Sequence, residues 1–276
     1  MSDLQIKLKW NKLIPNAPTA KQIAFLTLPH REALYGGAAG GGKSDALLMA
    51  ALQYADVPNY AAILFRRKLT DHKLPDSILN RAMKWLAPWI QKKEIRWVSG
   101  EHTLYFQSGA SLTFGYLDSQ LDRYRYQSAQ FQFVGFDEAT QIPEEDLRYL
   151  YSRIRKTKDQ GNIPLRYRLA TNPGGTSHQF IKKRFEIRRG EDGRFRGFCK
   201  NRPFIPAFID DNPFLDKTYY ESLDQLSAIE RARLREGDWD SRESAIYSPE
   251  WFQQRYSTIN GETIVLHEGS KVRTYK

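Results

Sequence analysis

A glycine-rich stretch restricts the fold of this chain more than any other feature of its sequence. Residues 35–44 read YGGAAGGGKS, and the last eight match the pattern G-x-x-x-x-G-K-[ST] at every fixed position. Glycines let successive main-chain N–H groups turn towards one point, where they bind phosphate oxygens. We expect this phosphate loop to be formed by Gly37, Ala38, Ala39, Gly40, Gly41, Gly42, Lys43 and Ser44.

The segments on both sides of the phosphate loop suit a strand, a turn and a helix in that order. Residues 32–35 are a short strand candidate, and residues 45–52 are rich in strong helix formers. This order directs the positive end of a helix at bound phosphates. We expect Lys43 to neutralise the β- and γ-phosphates of ATP and the Ser44 hydroxyl to bind Mg²⁺. The alternative is a surface loop that contains Lys-Ser by chance.

A pair of acidic residues follows an apolar strand candidate later in the chain. Residues 131–136 read FQFVGF and lead into Asp137 and Glu138, 94 residues after Lys43. In a hydrolysing ATPase, Asp137 would hold Mg²⁺ through its water shell and Glu138 would orient and deprotonate the attacking water. An acidic turn is the alternative reading, but the separate strand favours a catalytic pair.

Other strand candidates also end in polar side chains. Residues 165–170 lead into Thr171 and Asn172, a pair that suits a sensor of the γ-phosphate which acts on a neighbouring element. A plain Asn-Pro-Gly turn is the alternative. Another strand candidate, residues 60–65, ends at Arg66, which would face the ligand crevice of a parallel sheet or form part of a solvated basic pair.

The N-terminal segment contains one polar side chain with a candidate role. Thr19 is expected to cap a helix over residues 21–28, and this helix carries Gln22 about fifteen residues ahead of the phosphate loop. An amide side chain has the donor and acceptor needed to pair with an adenine edge, although an ordinary exposed glutamine remains the alternative. Residues 1–20 are expected to be an arm that packs on the domain.

The remaining patterns predict an α/β fold. Helices are predicted over residues 78–90, 143–155 and 219–235, and alternating strands that suit an antiparallel edge over 95–98, 103–107 and 111–115. We therefore predict a P-loop NTPase of the ASCE type (additional strand, catalytic glutamate). Its central sheet would be mostly parallel and flanked by helices, with antiparallel edge strands and a small C-terminal helical subdomain.

The charge of the chain is concentrated in one region. The net charge is +10, and residues 148–202 contain 16 lysines and arginines against four acidic residues. This region is expected to face a polyanion such as DNA, with a solvated basic surface as the alternative. The single cysteine, Cys199, suits a reducing compartment. Because no apolar run approaches the ~20 residues of a membrane span, we expect a soluble intracellular protein.

Taken together, these motifs resemble the ATPase half of the large subunit of a tailed-phage terminase, the motor that pumps double-stranded DNA into an empty capsid. The residues that carry the resemblance are Gln22, 36–44, 136–139, 170–173, 211–213 and 234–239. The resemblance implies that Gln22 contacts adenine and that Thr171 and Asn172 couple hydrolysis to movement. It also implies an arginine that reaches the ATP of a neighbouring subunit. Arg125 is the favoured candidate, with Arg123 and Arg66 as alternatives.

The resemblance also implies the setting in which such a chain works. The expected ligands are ATP and Mg²⁺, and the expected partners are double-stranded DNA, a portal protein and a small terminase subunit. A homo-oligomeric ring on the portal is expected, with a monomer possible in isolation, in the cytoplasm of the infected bacterial host. Terminases of this kind carry a C-terminal nuclease domain, so residues 21–200 are read as the ATPase core, 201–260 as a lid or linker, and 261–276 as the start of a linker to that domain.

Three other functions are consistent with parts of the pattern. A helicase-like translocase usually needs a second motor domain, for which 276 residues leave no room. A phosphate-transferring kinase conflicts with Glu138, because a base that activates water would waste ATP. A nucleotide-gated scaffold would bind ATP without turnover, and it stays open as an alternative to the motor.

Overall fold

The computed structural model describes residues 8–157, 162–216 and 218–241, and the strands at 256–259, 262–267 and 270–272. The chain divides into two units, residues 1–241 and 242–276. The α-helices of the first unit are Ala20–Thr27 (α1), Lys43–Leu52 (α2), Ile78–Gln91 (α3), Glu144–Tyr151 (α4), His178–Arg184 (α5), Thr218–Asp224 (α6) and Ala228–Leu234 (α7). Its strands are Glu32–Gly37 (β1), Ala61–Arg66 (β2), Ile95–Val98 (β3), Thr103–Phe106 (β4), Ser111–Tyr116 (β5), Phe133–Asp137 (β6), Arg166–Thr171 (β7), Ile187–Arg189 (β8), Phe195–Gly197 (β9) and Phe204–Ala207 (β10).

A single sheet organises the first unit. Its strand order is β10-β1-β7-β6-β2-β5-β4-β3. The pairs from β10 to β5 are parallel, and β4 pairs antiparallel with both β5 and β3. The predicted mostly parallel sheet with an antiparallel edge is therefore confirmed. The carboxyl ends of β1, β7 and β6 are adjacent, so the polar residues that follow them lie at the same edge of the sheet.

The two faces of the sheet are covered by separate apolar layers. One layer packs β1 and β2 against α1, α2 and α3, and the other packs the opposite face against α4, α5 and the β8–β9 hairpin. Helix α2 is buried along Ala46–Leu52 and not on one face alone. A helix that is apolar all round belongs in the interior. The helix that begins at the phosphate loop is therefore held between the sheet and the outer helices.

Several predicted boundaries differ from the structure. Residues 204–207, which the sequence analysis placed with the lid or linker, form β10 and pair in parallel with β1. The predicted helix over 143–155 ends at Tyr151, because the chain then turns to form a bridge between Ile154 and Phe131. The predicted helix over 219–235 is two helices, and Ser227 caps the second by accepting the N–H of Glu230.

The second unit contains three short strands. Tyr256–Ile259 (β11), Glu262–His267 (β12) and Ser270–Val272 (β13) form an antiparallel sheet in the order β11-β12-β13. The predictions for residues 1–7, 242–255 and 273–276 lie outside the described residues. Among the residues that are described, no helix combines the length and the apolar character of a membrane span.

Candidate functional site

The phosphate loop connects β1 to α2 and turns at two glycines. Gly40 and Gly42 have φ of +74° and +71°, in the left-handed region that side chains rarely adopt. An ideal Cβ on Gly40 would lie 2.4 Å from Leu215 Cδ1, and one on Gly42 would lie 2.7 Å from Gln22 Nε2. Glycine is therefore required at both positions, by conformation and by the close approach of neighbours.

The start of the loop is fixed by main-chain bonds to distant segments. The N–H of Ala38 donates to Ala207 O at 2.8 Å, and the N–H of Ala39 donates to Leu234 O at 2.6 Å. These two N–H groups, which the sequence analysis assigned to phosphate binding, are thus used within the fold. The loop N–H groups expected to bind phosphate in this conformation are therefore those from Gly40 onwards.

Lys43 and Ser44 lie beside the acidic pair at the end of β6. Lys43 Nζ donates to Ala38 O at 2.5 Å, and Ser44 Oγ donates to Asp137 Oδ1 at 2.9 Å. Burial lowers the pKa of Lys43 to about 8, while the nearby Glu138 and Asp137 act in the opposite direction. The two motifs, 94 residues apart in sequence, are therefore in direct contact.

The oxygen atoms at this point suit Mg²⁺. The hydroxyl of Ser44 and the carboxylate of Asp137 are hard oxygen ligands held side by side, and the metal keeps several waters in such sites. Arg66 Nε contacts the other carboxylate oxygen, Asp137 Oδ2, at 2.8 Å. The donor set fits the predicted ion, with Asp137 already oriented by partners on both of its oxygens.

Glu138 occupies the first position after β6 in a left-handed backbone conformation. Its φ and ψ are 55° and 47°, a conformation that is uncommon for a residue with a side chain and that clusters at active sites. Burial raises the pKa of Glu138, and the adjacent Asp137 raises it further. A carboxylate whose pKa is raised towards neutrality is a better proton acceptor at physiological pH.

Thr171 and Asn172 lie at the end of β7, which runs between β1 and β6. The Thr171 hydroxyl is buried, 2.8 Å from the hydroxyl of Thr140, and also accepts the N–H of Thr140 at 3.2 Å. Asn172 Oδ1 is buried and has no hydrogen-bond partner among the residues that the structure describes. Thr171 therefore joins the turn after Glu138 to the end of β7, and Asn172 retains a polar group for a ligand or water.

Gln22 lies against the phosphate loop and is only 4% exposed. Its Nε2 donates to Gly42 O at 3.0 Å, and its Oε1 accepts the N–H of Thr19 at 2.9 Å in a capping box. The alternative of an ordinary exposed glutamine is therefore wrong. Contact between Gln22 and adenine stays a prediction. In this conformation Nε2 joins α1 to the loop, and Oε1 caps the first turn of α1.

The three arginine candidates differ in exposure and in partners. The side chains of Arg66 and Arg123 are each 17% exposed, Arg66 on Asp137 and Arg123 on Asp146 at 3.1 Å. The side chain of Arg125 is 56% exposed and contacts Asp122 at 3.2 Å and the hydroxyl of Tyr116. Arg66 belongs to the site of its own chain, whereas Arg125 extends from the surface.

Sequence reasoning gave no role to two side chains that support the loop. Asn212 Nδ2 donates to Gly40 O at 2.7 Å, and the hydroxyl of Tyr35 donates to Gly41 O at 3.1 Å. The Asp-Asp-Asn-Pro sequence at 210–213 signals a turn, and an amide in a turn near a glycine loop is a possible support. Nothing in the local sequence marks Tyr35, because its partner is a main-chain carbonyl.

The strand order and the placement of the motifs define the class of protein. The phosphate loop follows β1, the Asp-Glu pair follows β6, and β7 lies between these strands, as in a P-loop NTPase of the ASCE type. The chain belongs to the family described as terminase large subunit, T4likevirus-type, N-terminal, whose profile matches residues 34–254. A sequence comparison with curated proteins finds no match.

Solved structures of phage terminases share the fold at low sequence identity. The large terminase of a thermophilic bacteriophage aligns with a TM-score of 0.59 and 14% identity over 81% of this chain and 54% of that chain. The same protein in complex with ATP-gamma-S aligns with a TM-score of 0.57 and 16% identity over 80% of this chain and 52% of that chain. The ATPase domain of the Thermus phage P74-26 large terminase aligns with a TM-score of 0.58 and 14% identity over 86% of this chain and 99% of that chain. The present chain thus spans about half the length of the large terminase from the thermophilic bacteriophage.

Proposed function

We propose that this chain is the ATP-hydrolysing motor domain of a viral terminase large subunit, and that hydrolysis drives double-stranded DNA into a procapsid. The observation that carries the proposal is the contact of Ser44 with Asp137 at 2.9 Å, beside Lys43 and Glu138. Family membership and the related large terminase in complex with ATP-gamma-S support the same activity.

The site residues divide the chemistry among themselves. The loop amides and Lys43 would bind the β- and γ-phosphates. Ser44 and Asp137 would hold Mg²⁺, which would supply positive charge to the transferring phosphoryl group. A carboxylate oxygen of Glu138 accepts the proton of the attacking water, and its raised pKa matches that role. Asn172 orients the water through its buried Oδ1, which accepts a hydrogen bond from it.

Within the predicted lid or linker, the described residues 209–216 and 218–241 are called the lid segment below. This segment would limit the access of bulk water to the nucleotide site. An ideal Cβ on Gly40 would lie 3.1 Å from Tyr219 Cε1, so α6 reaches the phosphate loop. Burial and then the charge of Glu138 raise the pKa of Tyr219, which places this ring in the field of the catalytic base. A closed lid would exclude water and strengthen the electrostatic contacts at the transferring phosphoryl group.

DNA contact is assigned to the exposed part of the basic region. Arg166 and Arg168 are buried in the fold, and Arg184 and Arg202 pair with the buried Glu32, so these cations support the domain. The β8–β9 hairpin carries exposed arginines instead. Because a motor must move along every sequence, these side chains would bind DNA phosphates, and the affinity would fall steeply with salt.

Family membership supports a proposal for the assembly. We propose a homo-oligomeric ring on a portal protein, loaded with DNA by a small terminase subunit, in the cytoplasm of the infected bacterium. Arg125 would act on the ATP of the neighbouring subunit, because its side chain is the most exposed of the three candidates. A nucleotide-gated scaffold is the remaining alternative.

Steady-state ATP hydrolysis by Glu138→Gln separates the motor from the scaffold. The substitution keeps the size of the side chain and removes the proton acceptor, so kcat should fall by about 10²–10⁴-fold while ATP affinity stays within about twofold. Glu145→Gln, on the exposed face of α4, is the matched control and should hydrolyse at the wild-type rate. A wild-type rate that is zero in the presence of DNA, or unchanged by Glu138→Gln, would favour the scaffold.

A further inference from the structure

His178 is a buried histidine with both ring nitrogens engaged. It is 7% exposed and begins α5, after the turn that follows β7. Its Nδ1 accepts the N–H of Gly174 at 2.8 Å, and its Nε2 lies 3.1 Å from the carbonyl of Trp239. Because Nδ1 accepts, the proton of the neutral ring is on Nε2, which donates to Trp239. Burial lowers the pKa of His178 and so favours this neutral form.

The Trp239 side of this bridge belongs to the segment that holds the phosphate loop. The imidazole of His178 stacks on the indole of Trp239 with a centroid distance of 5.2 Å and an interplanar angle of 23°. Leu234 O accepts the N–H of Ala39, and a methyl group added at Gly237 would lie 2.9 Å from Ala38 N. Residues 234–239 are therefore in contact with the loop and with His178.

The Gly174 side of the bridge leads to the catalytic carboxylate. Gly174 follows Asn172 by two residues, and Thr171 shares a hydroxyl contact with Thr140. The carbonyl of Thr140 accepts the N–H of Ser177, which immediately precedes His178. The turn after β7 is thus tied to the turn after β6, where Glu138 lies. A second and more exposed link, the ion pair of Lys182 with Asp240, joins α5 to the end of the lid segment.

We propose that His178 is a positioning residue that couples the end of β7 to the lid segment, so that a change at the γ-phosphate is transmitted to residues 234–239. The inference rests on the proposed ATPase function and extends it to a residue that does not touch the nucleotide. The two ring nitrogens of His178 join the turn after β7 to a carbonyl 61 residues later in the chain. Each partner lies on an element that contacts the nucleotide site, and losing either bond leaves a buried polar group unsatisfied.

Two substitutions divide the bridge into its halves. In His178→Asn, the side-chain oxygen can take the place of Nδ1 and accept from Gly174, whereas the bond to Trp239 is lost. In His178→Gln, the longer amide can donate to Trp239, whereas the acceptor for Gly174 is lost. Thr103→Val is the matched control, because it removes a buried hydroxyl without changing the size of the side chain. Thr103 is 4% exposed, and its Oγ1 donates to Glu101 O at 2.9 Å on β4, in the antiparallel edge of the sheet.

The test measures kcat, KM and hydrogen exchange of the amides at 234–239 with and without ATP-gamma-S. In the wild type, the analogue should slow exchange of these amides. In both His178 variants this response should be lost and kcat should fall about tenfold with KM within about twofold, whereas Thr103→Val should keep both. Thermal unfolding identifies variants that are simply unstable, and the comparison is then made at a temperature where each is folded.

The outcomes that overturn the proposal are distinct from those that overturn the ATPase assignment. If both His178 variants keep the exchange response and the wild-type kcat, or lose only thermal stability as Thr103→Val does, His178 is a structural residue. If the wild type binds ATP-gamma-S but does not hydrolyse ATP, the ATPase proposal fails. The exchange response of the variants still decides the role of His178 in that case.

Discussion

Two regions at the same edge of the sheet are built in opposite ways. The nucleotide site is buried and held by partners that are distant in sequence, such as Ser44 with Asp137 and Asn212 with Gly40. The loop after β5 carries Arg125, which is exposed and held by the nearby Asp122. The first arrangement is assembled from the residues of one chain. The second presents a charge outward, as expected of a group that acts on another copy.

The largest effect is expected from Arg125→Ala. An arginine supplied by a neighbour can contribute about 10³-fold or more to kcat. In the wild type, ATP turnover per subunit should therefore rise with protein concentration as subunits meet. In Arg125→Ala this rise should be absent, and the rate at high concentration should be lower by about that factor, with ATP affinity unchanged. Steady-state kinetics over a concentration series measures both.

Arg123→Ala is the control for this prediction. Its guanidinium is 17% exposed and is paired with Asp146 and Glu145 on α4. Removing it should leave the concentration dependence in place and alter the turnover by no more than about threefold. If Arg123→Ala loses the rise with concentration and Arg125→Ala keeps it, Arg123 is the arginine that acts on the neighbouring subunit. The greater exposure of the Arg125 side chain then does not identify the acting residue.

The stability and ATP affinity of the buried nucleotide site should fall when a single methyl group is added. Gly37 has φ of +128°, and an ideal Cβ on it would lie 2.3 Å from Ala207 O. Gly37→Ala should therefore lower the free energy of unfolding by about 3 kcal/mol and weaken ATP binding about 100-fold. Gly100→Ala is the matched control, because nothing lies within 4 Å of its added Cβ. Chemical denaturation and nucleotide titration would measure these effects, and equal behaviour of the two variants would contradict the prediction.

The main features of the fold were predictable because they produce local sequence signals. An apolar run that ends in glycine or in paired acids predicts a strand and its final turn, and β1 and β6 follow this pattern. The α6–α7 boundary was also readable, since Ser227 and Glu230 form a capping box of the S-x-x-E type. The long helix prediction passed over this signal in favour of apolar periodicity.

Other elements had no local signal strong enough to predict them. Strand β10 has four residues and contains Pro206, which is tolerated because the strand lies at the edge of the sheet. The N–H groups of Ala38 and Ala39 are bound by carbonyls of Ala207 and Leu234, and a carbonyl has no side-chain signature. Such contacts are set by tertiary packing, so only the structure reveals them.

A third prediction concerns the charge of the buried lysine. The pKa of Lys43 is lowered to about 8 by burial, so in the nucleotide-free protein its ammonium loses a proton as pH rises through 8. If the charged form binds ATP, the dissociation constant for ATP should rise by up to about tenfold per pH unit above 8. Lys43→Arg is the control, because a guanidinium stays charged over this range. A wild-type dissociation constant that is flat from pH 7 to 9.5 would contradict the prediction.

The smallest effect is expected at the exposed surface of the β8–β9 hairpin. Arg188 lies over Phe198 at 4.2 Å and Arg194 over Phe208 at 5.4 Å, measured from Cζ to the ring centroid. Stacking on a ring holds each guanidinium in place and leaves its N–H groups able to bind phosphate.

The double variant Arg188→Ala/Arg194→Ala should weaken DNA binding about fivefold near 0.1 M salt and make the slope of log affinity against log salt less steep by about 2, since each lost phosphate contact removes about 0.9. Arg96→Ala, on β3 at the far edge of the sheet, should leave the slope unchanged. Fluorescence anisotropy with a duplex of random sequence over a salt series would measure the slope. Because neither arginine contacts the nucleotide site, the rate of ATP hydrolysis without DNA should stay at the wild-type value in the double variant. If the slope is unchanged while this basal rate falls, the hairpin acts on the nucleotide site and DNA binds elsewhere on the domain.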